Sequence, residues 1–164
     1  MPLTFAYGSN MDADAMTRRC PGARLAGRAY LPRHRFALMA DGFATVVRDP
    51  AATACGVLWE LGFGDLAALD RYEDVALGGY RKIDQPVLRE GASPVRALVY
   101  VGTEGKRLGR APPDYMAKIV AAARAHGFSG DYVDFLRRVG GEDVPEARKK
   151  FRAIKNADIL REQE

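Results

Sequence analysis

Apolar and polar positions change their spacing twice along the chain, and each change marks a boundary. Residues 3–7, LTFAY, form a short apolar and aromatic run of the kind a buried strand requires. Gly8-Ser9-Asn10 cannot continue it, and Ser9 or Asn10 is placed to cap a helix running from about Met11 to Arg19, with Asp12 and Asp14 in its first turn. Cys20-Pro21-Gly22 ends that helix. Short strand-like runs follow at 24–31, 35–39, 43–47 and 54–61, with Asp41-Gly42 as a turn and Asp49-Pro50 as a break. Gly78-Gly79 supplies a flexible corner before two further strands, 80–88 and 95–101, which form an antiparallel pair through a turn at 89–94. The succession implies a largely β core. Beyond Gly105 the period lengthens: 114–126, 131–139 and 144–161 read as helices, with Gly127, Gly140-Gly141 and Pro145 as punctuation. The fold class is therefore α+β, with a helical C-terminal third.

Between the two strand groups, a helix expected from Leu66 to about Asp74, capped by Asp65, violates its own pattern. Leu66 and Leu69 define its apolar stripe, and Glu73, seven residues after the first and four after the second, falls on the same stripe. Asp70 flanks this face, whereas Arg71 and Asp74 point elsewhere. Glu73 is thus the acid placed to lose its water; a helix-end glutamate reaching solvent, or paired with an arginine, is the alternative.

The turn at Gly8-Ser9-Asn10 has a chemistry of its own. Backbone N–H groups at such a strand-to-helix junction point into open space and can hold a carboxylate or a developing oxyanion. An ordinary capped turn is the alternative. Ser9 resembles a reactive hydroxyl, but no histidine base accompanies it.

Composition narrows the classes further. The chain has 164 residues, 48% of them hydrophobic, enough for one domain with a substantial core. No apolar run approaches the roughly 20 residues that span a bilayer, and the N-terminus lacks a signal-peptide pattern, so a cytoplasmic protein without a membrane partner is expected. Cys20 and Cys55 form no motif with each other or with His34 and His126, which argues against a zinc site. A thiol hydrolase built on Cys20 is weak for the same reason. The formal charge of +4 is spread out except at Arg148-Lys149-Lys150 and Arg152, read as a solvated helix face rather than a nucleic-acid patch. Gly102-Thr103-Glu104-Gly105-Lys106 lacks the spacing and the hydroxyl residue of a phosphate loop.

Tyr7-Gly8-Ser9-Asn10 after the first strand, Gly56-Val57-Leu58-Trp59 within a later one, Leu69-Asp70-Arg71-Tyr72-Glu73, and Gly78-Gly79-Tyr80 occur in that order. Over residues 3–132 this combination resembles the gamma-glutamylcyclotransferase family. The resemblance implies a mixed, six-stranded barrel-like β core with flanking helices over residues 1–139, to which 140–164 would add a helical extension. It also implies cleavage of a small-molecule gamma-glutamyl amide to 5-oxoproline and a free amine or amino acid, with no metal or other cofactor and no nucleic-acid partner; a homodimer is the candidate assembly. By position, Tyr7, Gly8, Ser9 and Asn10 would hold the glutamyl part, Glu73 would be the general acid/base, and Tyr80, Tyr100 and Tyr115 would line or close the pocket. Tyr80 and Tyr100 as plain core residues are the alternative. Phe128-Ser129-Gly130-Asp131-Tyr132 departs from the family, where Gly-Leu-Pro tends to precede the tyrosine.

That chemistry asks for these residue types. The substrate's own α-amine attacks its γ-carbonyl, so the protein supplies proton transfer and oxyanion stabilisation rather than a nucleophile. Proton transfer from an α-ammonium near pKa 8 to an ordinary glutamate near 4.3 is uphill by about 5 kcal/mol. Burial that raises Glu73 toward about 6 or 7 removes much of that, and a base so tuned contributes about 10²–10⁴-fold. Two other readings remain: a relative specialised for a gamma-glutamylated secondary metabolite or amine, and a non-catalytic small-ligand module on the same scaffold.

Overall fold

A computed structural model describes residues 1–103 and 110–145. Its centre is a closed barrel of five strands in the order β1-β3-β2-β4-β5. These are β1 (Leu3–Ala6), β2 (Arg24–Leu38), β3 (Ala44–Glu60), β4 (Tyr80–Arg89) and β5 (Ala92–Gly102). Four helices accompany them: α1 (Ala13–Arg19), α2 (Phe63–Tyr72), α3 (Tyr115–Ala125) and α4 (Gly130–Val139).

The barrel has five strands, not six, because two expected breaks do not end a strand. Residues 24–31 and 35–39 belong to one strand, as do 43–47 and 54–61. Pro32 pairs with Thr53 and His34 with Arg48, so a single residue of β2, Arg33 at φ 60°, opposes residues 49–52 of β3. Pro50 lies in that bulge, where its missing N–H costs no ladder bond. β1 closes the barrel, antiparallel to β3 through Ala6 and Val57 and parallel to β5 through Phe5 and Val99. At Gly56, a Cβ would fall 2.3 Å from the Ala6 carbonyl oxygen and 2.7 Å from Phe5 Cζ, so only glycine permits this approach of β3 to β1. Phe5, Phe36, Leu31, Leu58, Val57, Val87 and Val99 are buried in the core, each 1% exposed or less.

The α3 and α4 helices match the expected spans within a residue. Glu142 to Pro145 are not helical. The remainder of the helix expected at 144–161, with the basic cluster at 148–152 and the greater part of the proposed 140–164 extension, lies outside the described residues, as does most of the Gly102–Lys106 loop. Among the described residues, no helix is long and apolar enough to cross a membrane, and no group of three or more His, Cys, Asp or Glu could hold a metal ion.

Two contacts fix the helices that carry the candidate chemistry. Asp65, expected as the cap of α2, instead sits in its first turn behind Gly62, whose N–H it accepts at 3.0 Å. It is 7% exposed and also accepts the Gly22 N–H at 3.3 Å, tying α2 to the turn after α1. His126, at the end of α3, donates from Nε2 to the Met11 carbonyl at 2.7 Å, anchoring the turn after β1.

Candidate active site

The helix expected from Met11 starts as a single 3-10 turn, Ser9–Met11, before α1. Gly8 precedes it, and the N–H groups that open such a turn have no partner within it. Asp12, rather than Ser9 or Asn10, caps α1 by accepting the Ala15 N–H at 2.7 Å. The turn therefore keeps the side chains of Ser9 and Asn10 for other contacts. Asn10 is anchored by its main chain, because Trp59 Nε1 donates to its carbonyl at 2.9 Å.

Glu73 is the residue after α2 and is 7% exposed; its N–H donates to Leu69 at 2.9 Å, which completes the last turn. The displaced position on the apolar stripe thus marked a buried carboxylate. Asp74, in the left-handed region at φ 51°, then folds the chain back through a 3-10 turn, Val75–Leu77, so that Gly79 comes to lie against it. A Cβ on Gly79 would stand 2.9 Å from Asp74 Cβ and 3.1 Å from the Glu73 carbonyl oxygen. This tight fold seats β4 beside the carboxylate.

All eight residues singled out in the sequence converge on one pocket at the end of the barrel. Tyr7, Gly8, Ser9, Asn10, Glu73, Tyr80, Tyr100 and Tyr115 line it together with Phe43, Ala44 and Tyr72. Asn10 Nδ2 donates to Glu73 Oε1 at 2.7 Å. The phenols are anchored rather than idle: Tyr7 donates to the Tyr100 carbonyl at 2.5 Å, and Tyr80 to the Ala44 carbonyl at 2.6 Å. The Tyr115 hydroxyl accepts the Ala44 N–H at 3.1 Å, and its ring meets Phe43 edge-on at 5.3 Å. Tyr100 donates to Asp70 Oδ1 at 2.6 Å, while Lys82 pairs with the other Asp70 oxygen at 2.7 Å.

These contacts set the protonation of the phenols. Burial, reinforced by Tyr80 and Glu73, holds the Tyr7 hydroxyl well above its usual range. Burial and the bond to Asp70 push Tyr100 up as well. Both remain neutral donors near pH 7.

Arg19, Phe43, Ala44 and Tyr72 escaped the sequence reading. Arg19 Nη1 donates to Asn10 Oδ1 at 2.5 Å and to Ser9 Oγ at 3.3 Å, and its guanidinium carbon lies 3.8 Å from the centre of the Tyr72 ring. Nothing in the spacing of helix α1 announced this. Cys20 is buried against the Asp65 carbonyl, with its thiol pushed up to about 11 by burial, and His34 and His126 bond to the carbonyls of Pro32 and Met11. A Cys–His nucleophile has no basis in this arrangement.

Fold and pocket together define a class: a small closed-barrel protein whose barrel end holds a buried carboxylate, an amide donor to it and a wall of tyrosines. The AIG2-like family model matches residues 54–136, a span that includes Glu73 and the pocket tyrosines Tyr72, Tyr80, Tyr100 and Tyr115. The chain belongs to the AIG2-like family. It is 25% identical over 151 residues to gamma-glutamylcyclotransferase from Bos taurus, covering 86% of this chain and 80% of the relative. A solved gamma-glutamyl cyclotransferase superposes with a TM-score of 0.76 at 23% identity, covering 98% of both chains. A yeast gamma-glutamyl cyclotransferase specific to glutathione superposes with a TM-score of 0.58 at 13% identity, covering 85% of this chain and 95% of the other. These two structural likenesses concern the fold.

Proposed function

We propose that the protein is a gamma-glutamyl cyclotransferase, converting a gamma-glutamyl amide to 5-oxoproline and releasing an amine or amino acid. The observation that carries this reading is the buried carboxylate of Glu73, held by Asn10 in a pocket shared with the Tyr7 to Asn10 turn. The name and family of the relatives support it.

In this reading the substrate's α-amine gives a proton to Glu73 and attacks the γ-carbonyl, closing a five-membered ring. The N–H groups of the Gly8 to Asn10 turn hold the glutamyl carboxylate or the oxyanion that forms. Collapse of the tetrahedral intermediate breaks the C–N bond, and protonated Glu73 returns its proton to the departing amine. Tyr7 and Tyr100, kept protonated by burial, wall the pocket together with Tyr80 and Tyr115. No nucleophile is required of the protein, and Ser9 contributes its main chain. The site residues, a cytoplasmic location and a cofactor-free reaction belong to this proposal.

Purified protein incubated with gamma-glutamyl-alanine should yield 5-oxoproline and alanine in equal amounts. A panel of gamma-glutamyl donors with different leaving amines separates a general enzyme from one specialised for a secondary metabolite or amine. Binding without product would favour the non-catalytic module.

A further inference from the structure

We propose that Arg19 is a positioning residue for Glu73: acting through the side-chain amide of Asn10, it holds the carboxylate in place and ionised. This rests on Glu73 being the proton acceptor of the reaction proposed above. Arg19, half-buried on α1, lines a second cavity beside the pocket, while Asn10 and Glu73 line the pocket itself.

The chain of contacts has one permitted sense. A guanidinium carries donors and no acceptor, so the Asn10 atom 2.5 Å from Arg19 Nη1 is its amide oxygen. The amide nitrogen must then face Glu73, and it does, at 2.7 Å. Without Arg19 the amide can rotate, presenting an oxygen to the carboxylate. With Arg19 in place, the positive charge polarises the amide and strengthens the donor, while adding no bulk to the pocket.

Arg19 is itself held on both sides, by the face of Tyr72 at 3.8 Å and by Ser9 Oγ at 3.3 Å. Tyr72 is the neighbour of Glu73 in the chain, so the guanidinium and the carboxylate are fixed to the same end of α2. Among the described residues, the ionisable groups near Glu73 include the phenols of Tyr7 just after β1, Tyr72 at the end of α2, Tyr80 on β4, Tyr100 on β5 and Tyr115 on α3, with Asp70 on α2. Asp70 is already matched by Lys82.

The test is an Arg19→Met variant, read in two ways. Kinetics with gamma-glutamyl-alanine should show the acid limb of kcat/KM moved up by about one pH unit, which is tenfold on that limb, with KM within about twofold. A ¹³C titration of the Glu73 carboxyl should show the same upward move without any need for turnover. Arg19→Lys should recover part of the shift, because an ammonium can still bond the amide oxygen but cannot stack as a plane on Tyr72. If Arg19→Met does not fold, Tyr72→Leu, which removes the platform and also trims the pocket wall, should give a smaller shift of the same sign in the ¹³C titration. An unchanged Glu73 titration would overturn the proposal. So would a raised KM with unchanged kcat, which would make Arg19 a contact to the leaving group. If the wild-type protein makes no 5-oxoproline, the proposed reaction fails while the titration still decides the role of Arg19.

Discussion

Asn10 and Glu73 are 63 positions apart in the chain, yet the amide of one donates to the carboxylate of the other at 2.7 Å. Closure of the barrel by β1 and docking of α2 on the turn after α1 bring them together. In the proposed reaction, the pairing would make Asn10 a direct neighbour of the transferred proton as well as part of a substrate cradle.

Glu73→Gln removes the proposed base and keeps the volume. Turnover should fall by about 10²–10⁴-fold, with a thermal midpoint close to wild type. Mass-spectrometric quantification of 5-oxoproline beside a circular dichroism melt checks both. Full activity in the folded variant would remove Glu73 from the mechanism.

Asn10→Asp places a second carboxylate against the first. Two such groups at hydrogen-bond distance do not both ionise easily, so one proton is retained to higher pH. The acid limb of the rate profile should move upward, and activity should recover as pH rises. A profile superimposable on wild type would show that the pair is not coupled in the reaction.

Ser9→Ala deletes a hydroxyl whose bond to Arg19 is long, at 3.3 Å, and leaves the main-chain turn intact. Activity should stay within about tenfold of wild type, the lower bound for a lost proton-transfer group being about 10²-fold. Complete loss in a folded variant would restore Ser9 as a chemical participant.

Gly56→Ala tests the barrel rather than the pocket. Its new methyl would meet both the Ala6 carbonyl oxygen and the Phe5 ring, at 2.3 Å and 2.7 Å. Urea unfolding should show a loss of about 3 kcal/mol or more, at the upper end of overpacking costs.

Alkaline pH provides an independent probe of the core. Burial raises both thiols, Cys20 and Cys55, from 9.0 to about 11 in the folded protein. A folded-state value above the unfolded one favours the protonated form, so this stability is complete below about pH 9 and is lost as pH rises toward 11. At pH 8 the buried Cys20 should resist a thiol reagent until the protein unfolds, with the partly buried Cys55 the faster of the two; rapid native reaction of Cys20 would contradict its burial.

The strands, the C-terminal helices α3 and α4 and the buried Glu73 were legible because each rests on local pattern. Strand continuity was not, since Asp49-Pro50 looks like a break unless the bulge opposite Arg33 is known. The cap of α2 was misplaced for a related reason: Asp65 is a good capping residue, but Gly62 leads and Asp65 reaches back to it. The ordered motifs assembled the pocket lining, yet Arg19 and Tyr72 remained invisible. Their contacts cross from one helix to another, and no periodicity within either records them.

Ala44 has its N–H held by Tyr115 and its carbonyl by Tyr80, one tyrosine at the start of α3 and the other at the start of β4. A residue clasped at both its N–H and its carbonyl by distant parts of the chain must break both contacts to open locally. Its amide should exchange with solvent as slowly as those at the centre of the barrel, so the pocket wall and the core share one cooperative unit. Loss of either tyrosine would divide that unit, and catalysis would fade at temperatures where the barrel itself is still intact.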